Sequence, residues 1–368
     1  MIEASSPGAL VRLHLTNVNG AGASQLLLSL LPALESDLDV VIESIDLPDR
    51  GILSTYTSAN NAVVEVYRRH LPNALSRLLE CTLRAKQFDG DSPLFVLGDL
   101  PLRCRGPQVV FVQQSNLVRS FRFNWRLSEI IYILARAIFR INRGRVKAFI
   151  VQTDVMRVAL ERCYPDLTGR VHVIAQPVPL WLLKSGLSRK ARVDSAAKRL
   201  RLIYPAADYP HKNHALLSRF DMQSNCPVEQ LIVTLSSESH PAPHLAWVEC
   251  TGFLSPQDMI EAYSQVDGLV FLSREESYGF PLVEAMYVGL PIICPDLAYA
   301  HVLCGDEAIY FDPDDSESLL AAFLDLQSRL DKGWWPDWED RLVNIPQNWE
   351  SVASRMLDVV RGSDTRSV

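Results

Sequence analysis

No apolar run in this 368-residue sequence reaches the roughly 18 to 20 residues that a helix needs to cross a bilayer. A membrane-spanning chain is therefore not expected. The seven cysteines (Cys81, Cys104, Cys163, Cys226, Cys250, Cys294 and Cys304) never form a C-x-x-C pair. Their scatter argues against a zinc site and a disulfide framework, and for a reducing compartment. The opening residues, MIEASSPGALVRL, lack the basic-then-apolar pattern of a secretory leader, so the expected location is the cytoplasm. Nothing repeats at a period of 20 to 50 residues, which speaks against a solenoid. Excess positive charge is missing too: the net charge of -7 gives no global reason to expect nucleic acid as a partner. A dinucleotide-type G-x-G-x-x-G is also absent, because Gln25 stands where the third glycine after Gly20 and Gly22 would fall.

What is there is the composition of a soluble globular protein, 48% apolar and 21% charged. The length exceeds one compact core, and two domains fit it. Short apolar runs alternate with longer amphipathic ones, the pattern of repeated β-α units around a parallel sheet. In the first half the spacing predicts strands at Ala9–Leu15, Val40–Ile45, Leu94–Gly98, Val109–Val112, Ala148–Val151 and Val171–Ile174. A second alternation begins at Leu200–Tyr204 and continues through Gln230–Thr234, Gly268–Leu272 and Pro291–Cys294. The polar stretch from Ser185 to Lys198 reads as a linker. The expected organisation is α/β throughout: residues 1–184 and 200–345 as two Rossmann-like doubly wound domains, 185–199 between them. A closing helix within 346–368 would pack back across the domains.

One segment departs from the acidic average. From Leu117 to Lys147 lie Arg119, Arg122, Arg126, Arg136, Arg140, Arg143, Arg145 and Lys147, interleaved with Phe121, Phe123, Trp125 and Phe139. Basic and aromatic side chains together suit an anionic membrane surface or a phosphate-rich acceptor. The plainer reading is a core helix with arginines on its solvated face.

The most informative stretch runs from Arg274 to Met286. It follows the strand-like Leu269-Val270-Phe271-Leu272 and opens a helix at Gly279-Phe280-Pro281-Leu282. Proline suits a first helical turn and glycine a backbone geometry that other residues resist. A helix N-terminus at a sheet edge, with the N–H groups of Leu282 and Val283 pointing outward, would hold phosphate. Glu276 and Glu284 flank it, and a carboxylate's two acceptor oxygens suit vicinal hydroxyls of a ribose or a hexose.

With its flanks, Thr251-Gly252-Phe253-Leu254-Ser255 before and Gly289-Leu290-Pro291 and Asp312-Pro313 after, this run resembles the E-x7-E motif of retaining GT-B glycosyltransferases, in particular glycosyltransferase family 4. The resemblance covers about Leu200 to Leu330 and is thinner in the first half. It implies two Rossmann-like domains facing each other across a cleft. It implies transfer of a hexose-type sugar from a nucleotide-diphosphate sugar to a hydroxyl acceptor, such as a lipid-linked glycan in surface polysaccharide synthesis. Glu276 would contact the transferred sugar, Glu284 the ribose, and the backbone around Gly279, Phe280, Pro281 and Leu282 the diphosphate. Lys212, in Tyr209-Pro210-His211-Lys212-Asn213, would neutralise the departing nucleotide, with no metal or other cofactor expected because no D-x-D of the metal-binding kind is seen. Asn213 would cap the helix that follows.

Where many family members carry an arginine about six residues before that lysine, this chain has Ala206. Where related enzymes carry a histidine after the fourth strand of the first domain, it has Gln113 and Gln114, and Gln114 becomes an acceptor-side candidate. Gly20 and Gly22 lie in a loop that in the family approaches the donor phosphates; a tight turn is the plain alternative. Two other functions stay open at this level: a catalytically weak nucleotide-sugar-binding relative that assists a partner, and a related GT-B epimerase.

Overall fold

The computed structural model describes residues 9–18, 20–60, 62–69, 71, 73–118, 127–193, 199–221 and 225–362. Two units divide the chain: Met1–Gln176 with Pro346–Val368, and Pro177–Ile345.

The first unit is a parallel sheet with helical crossovers. Its elements are β1 (Ala9–His14), α1 (Ala21–Glu35), β2 (Val40–Pro48), β3 (Val63–Tyr67), α2 (Asn73–Cys81), β4 (Leu94–Val96), β5 (Gln108–Phe111), α3 (Leu127–Asn142), β6 (Ala148–Val151), α4 (Asp154–Cys163) and β7 (Val171–Val173). The strand order is β3-β2-β1-β4-β5-β6-β7, all parallel. Its central strands LFV, QVVF and AFIV are buried along their whole length, as strands covered on both faces must be. Phe139 of α3 packs at a tilt against Phe149 of β6 at 5.4 Å and Tyr164 at 5.0 Å, seating that helix on the sheet. The last helix, Trp349–Arg361, also belongs to this unit. Asn348 caps it by accepting the Ser351 N–H at 2.8 Å, and its stripe of Trp349, Val352, Met356 and Val360 is buried toward α1, β5 and β6.

In the second unit follow α5 (Leu180–Ser185), β8 (Leu200–Tyr204), β9 (Val228–Val233), β10 (Val248–Cys250), α6 (Pro256–Gln265), β11 (Gly268–Val270), α7 (Phe280–Val288), β12 (Ile292–Pro295), α8 (Ala298–Cys304), β13 (Ile309–Phe311) and α9 (Ser316–Asp331). The order β10-β9-β8-β11-β12-β13 is the doubly wound arrangement, reversing direction between β8 and β11. Ser255 and Asp258 form a capping box that starts α6, with Pro256 in its first turn.

The boundary between the units falls earlier than the sequence suggested, at Gln176 rather than 184, and α5 packs with α6. The described part of the expected linker is tied down as well. Arg189 donates to the carbonyls of Tyr263, Ser264 and Val266 at 2.7–3.1 Å, capping the end of α6 with positive charge. Arg192 grips Asp267 through two nitrogens at 3.1 and 3.2 Å. Low apolar content read as a linker, but here guanidinium hydrogen bonds do the anchoring. Residues 194–198 lie outside the described residues.

Asp267 is buried and also accepts the Arg201 N–H at 2.9 Å. Asp267→Ala removes the buried two-nitrogen contact of Arg192, which keeps only weaker or exposed contacts such as Asp331 at 3.7 Å, a loss on the order of 3–5 kcal/mol. Hydrogen exchange should show β8 and β11 amides losing protection while β1 and β4 amides keep theirs. Equal protection of all four strands would contradict the role assigned to Asp267.

Candidate functional site

The reversal between β8 and β11 sends the loops after these two neighbouring strands apart, and in open parallel sheets ligands sit in the gap so formed. Lys212 follows β8 and Glu276 follows β11. Their side chains meet there: Lys212 Nζ lies 2.5 Å from Glu276 Oε1, with both largely shielded at 16% and 11% exposure. The lysine is fixed from behind. The Tyr204 hydroxyl donates to the Lys212 carbonyl at 2.7 Å, and the ammonium sits 5.7 Å from the Phe271 ring centroid. The two loops are also joined through the His211 carbonyl, which accepts the Arg274 N–H at 2.8 Å and the Ser273 hydroxyl at 3.3 Å. Tyr299 of α8 donates in turn to the Ser273 carbonyl.

Asn213 does not cap the following 3-10 turn, His214–Arg219. It adopts a left-handed conformation with φ 58°, and its amide donates to the Pro313 carbonyl at 2.9 Å. An amide that bridges to a distant loop is no longer available to the turn it precedes. Ala206 is buried in the same unit and brings no charge.

Gly279 precedes α7 at φ 90° and ψ 52°, a conformation that favours glycine, and a Cβ there would press on Leu282 and Leu303 at 3.3 Å. The expectation of outward N–H groups at Leu282 and Val283 needs correction. Both donate to the Gly279 carbonyl, at 2.9 and 3.3 Å, because the residue that opens a helix accepts its first internal bonds. Pro281 has no N–H, so Phe280 supplies the free donor of this turn. Glu284 lies in the second turn of α7. It is 8% exposed and accepts the Tyr263 hydroxyl at 2.8 Å.

In the first unit the corresponding reversal lies between β1 and β4. Gly20 opens α1 at φ -76°, so no positive φ demands glycine, and a Cβ at Gly20 or Gly22 would meet open space. Neither glycine is demanded by backbone conformation or close packing. Beneath this loop is a buried polar network that the sequence reading missed. Glu80 of α2 pairs with His14 at 3.1 Å and Arg69 at 3.3 Å. Arg69 donates to the Thr16 carbonyl and to Asn17 Oδ1, and Arg77 to the Asn17 carbonyl. These residues are far apart in sequence, and no local pattern announces their meeting. Gln114 is placed by Asp99, whose Oδ1 accepts the N–H groups of Gln113 and Gln114 at 2.5 and 3.1 Å. Asp99 has φ 68°, and burial pushes its carboxyl up to about 6.

Literal D-x-D spacings do occur, at Asp37–Asp39, Asp89–Asp91 and Asp312–Asp314. In each the first carboxylate accepts a backbone N–H: Asp37 that of Asp39 and Asp312 that of Asp314 within local turns, and Asp89 that of Arg105, sixteen residues on. Arg119, Arg122 and Arg126 of the basic segment lie outside the described residues. Of the rest, Arg143 pairs with Asp166 at 2.9 Å and Arg140 is exposed. Among the described residues no helix is long and apolar enough to cross a membrane.

Burial raises Glu284 from its ordinary 4.5 to about 7, against the opposing hydrogen bond from Tyr263. The folded chain therefore holds a proton there that the unfolded chain releases above about 4.5. That contribution to stability is full below 4.5 and is lost as pH rises through about 7. The melting temperature should fall between pH 5 and 8, and Glu284→Gln should flatten that part of the curve. A variant curve parallel to wild type throughout would remove Glu284 as its source.

Residues 225–329 match the family described as "Glycosyl transferases group 1". Over 117 residues the chain is 30% identical to the O-antigen chain mannosyltransferase B of Escherichia coli. That stretch is 31% of this chain and 30% of the mannosyltransferase, so the similarity reaches less than a third of either protein. Among solved structures, sucrose-phosphate synthase from Thermosynechococcus elongatus superposes with a TM-score of 0.66 at 13% identity, covering 96% of this chain and 98% of that one. WaaG, a glycosyltransferase involved in lipopolysaccharide biosynthesis, gives 0.64 at 15% identity over 96% and 100%. The two parallel sheets and these superpositions give the chain a GT-B fold, and within its second unit residues 225–329 match the glycosyl transferases group 1 family.

Proposed function

We propose that this chain is a retaining, metal-independent glycosyltransferase that moves a hexose-type sugar from a nucleotide diphosphate to a hydroxyl of a lipid-linked glycan in O-antigen or lipopolysaccharide-type synthesis. The observation that carries the reading is the Lys212–Glu276 pair at the β8/β11 reversal, beside the glycine-opened helix α7. The names of the E. coli mannosyltransferase and of WaaG support the class of glycan.

In this reading the acceptor hydroxyl attacks the anomeric carbon on the face from which the nucleotide departs. The bond to the phosphate oxygen breaks, and that oxygen takes the acceptor's proton. Negative charge grows on the departing diphosphate, where the Lys212 ammonium and the Phe280 N–H stabilise it. A fixed ammonium fills the place a metal takes elsewhere. Glu276 holds hydroxyls of the sugar and Glu284 those of the ribose. Gly20 and Gly22 leave room for a ligand to approach the first unit's backbone, and Gln114 serves the acceptor side. The basic segment 117–147 rests on an anionic membrane surface at its cytoplasmic side.

A weak, donor-binding relative is the second reading, favoured by one fact. With Ala206 buried and Lys212 already paired, the β8 loop offers a diphosphate little free positive charge.

A thermal-shift series with UDP, GDP, ADP, dTDP and CMP separates the two when combined with a transfer assay. One nucleoside diphosphate at 100 times its dissociation constant should add about 2.7 kcal/mol of stability. Lys212→Ala should lose that shift. Glu276→Ala should keep it while transfer falls about a hundredfold or more. Binding without transfer in the wild type supports the weak relative; near-normal transfer by Glu276→Ala would sink the role given to Glu276.

A further inference from the structure

The first unit carries a second concentration of positive charge that the proposed transfer leaves unused. Where β3 ends, a small cleft is lined by Tyr67, Arg68, Arg69, Ser76 and Arg84 among others. None of its lining residues carries a carboxylate. The three guanidinium groups are not equivalent. Arg69 is buried and committed to Glu80, Asn17 and the Thr16 carbonyl, and its N–H is held by Asp49 at 2.9 Å. Arg68 and Arg84 are exposed, come from separate segments of the chain, and make no ion pair among the described residues.

Three guanidinium groups around a small cavity create a strong positive potential, and Glu80 offsets only one of them. The Ser76 hydroxyl already donates to the Leu71 carbonyl, which fixes part of the wall. A carboxylate would satisfy a single planar fork. A phosphate or diphosphate offers several oxygens in different directions, which matches arginines approaching from separate segments. The position fits a ligand as well, because β3 is parallel to β1 and β2 and so ends at the same carboxyl edge as the Asn17–Gly22 loop. Arg69 connects the two, touching the cleft on one side and the Thr16–Asn17 backbone on the other.

We propose that this cleft, with Arg68 and Arg84 as its working charges and Arg69 as its fixed wall, is a binding site for a phosphate or diphosphate group, either free in solution or carried on a lipid. The site is built from residues of the first unit alone and stands whether or not the chain transfers sugars.

The probe is inorganic pyrophosphate, titrated calorimetrically into the full chain. Because pyrophosphate can also bind beside Lys212, the measurement is made in a Lys212→Ala background. Binding should persist there, weaken at least tenfold on adding Arg68→Ala and Arg84→Ala, and recover in part with Arg68→Lys and Arg84→Lys. Both arginines are exposed, so the melting curve should be unchanged, which separates lost binding from lost fold. Pyrophosphate binding that vanishes with Lys212→Ala, or that survives the double alanine change, overturns the proposal. Sedimentation with phosphatidylcholine vesicles, with and without phosphatidic acid, then assigns the source. A phosphatidic-acid-dependent pull-down lost in the double variant assigns a lipid-borne phosphate. Equal sedimentation of both proteins, with pyrophosphate binding intact in the wild type, assigns a free one.

Discussion

The meeting of Lys212 and Glu276 depends on a single topological constraint, the reversal of strand order between β8 and β11. Sixty-four residues separate the two side chains in sequence, yet each sits just past the end of one of two hydrogen-bonded strands. An exposed lysine–glutamate pair would contribute little to stability. This one is largely shielded, and its geometry is enforced from behind by Tyr204, by the Arg274 and Ser273 bonds to the His211 carbonyl, and by Tyr299. Those supports come from β8, the β11 loop and α8. The arrangement is preorganised, which is what electrostatic stabilisation of a departing anion requires.

Much of this was legible in the sequence, for physical reasons. Parallel strands buried on both faces read as plain apolar runs, so Leu94–Gly98, Val109–Val112 and Ala148–Val151 stood out. Of the edge strands only Val171–Val173 did, and the other three did not. Val63–Tyr67 has an exposed face and a glutamate in its middle, and Val248–Cys250 and Ile309–Phe311 are three residues long. The glycine and proline around α7 marked its start, since φ and the missing N–H are local properties. Which N–H groups stay free was not legible, because that depends on where the Gly279 carbonyl points. The Glu80 network was invisible for a different reason: His14, Arg69 and Glu80 converge only through the sheet's topology.

That network bears on how the first unit presents its loop. Charges buried this deeply are a poor source of stability, because desolvation opposes their attraction. Their value lies in direction. Arg69 and Arg77 bind main-chain oxygens of Thr16 and Asn17, so they fix backbone just before Gly20, where glycine itself fixes nothing.

Glu284 brings the same logic to the second unit in its sharpest form. Its carboxyl is buried and holds its proton up to about 7, whereas hydrogen bonds from two sugar hydroxyls favour the ionised form. A nucleotide ribose that docks there must therefore draw the pKa down and release a proton in the process. Affinity for the nucleotide would rise with pH up to about 7 and level off above it, provided the remaining groups keep their charge. Tyr263 already donates to the carboxylate and offsets part of the desolvation. In the proposed reading the ribose hydroxyls would add to the Tyr263 bond and offset more of the desolvation of this buried group.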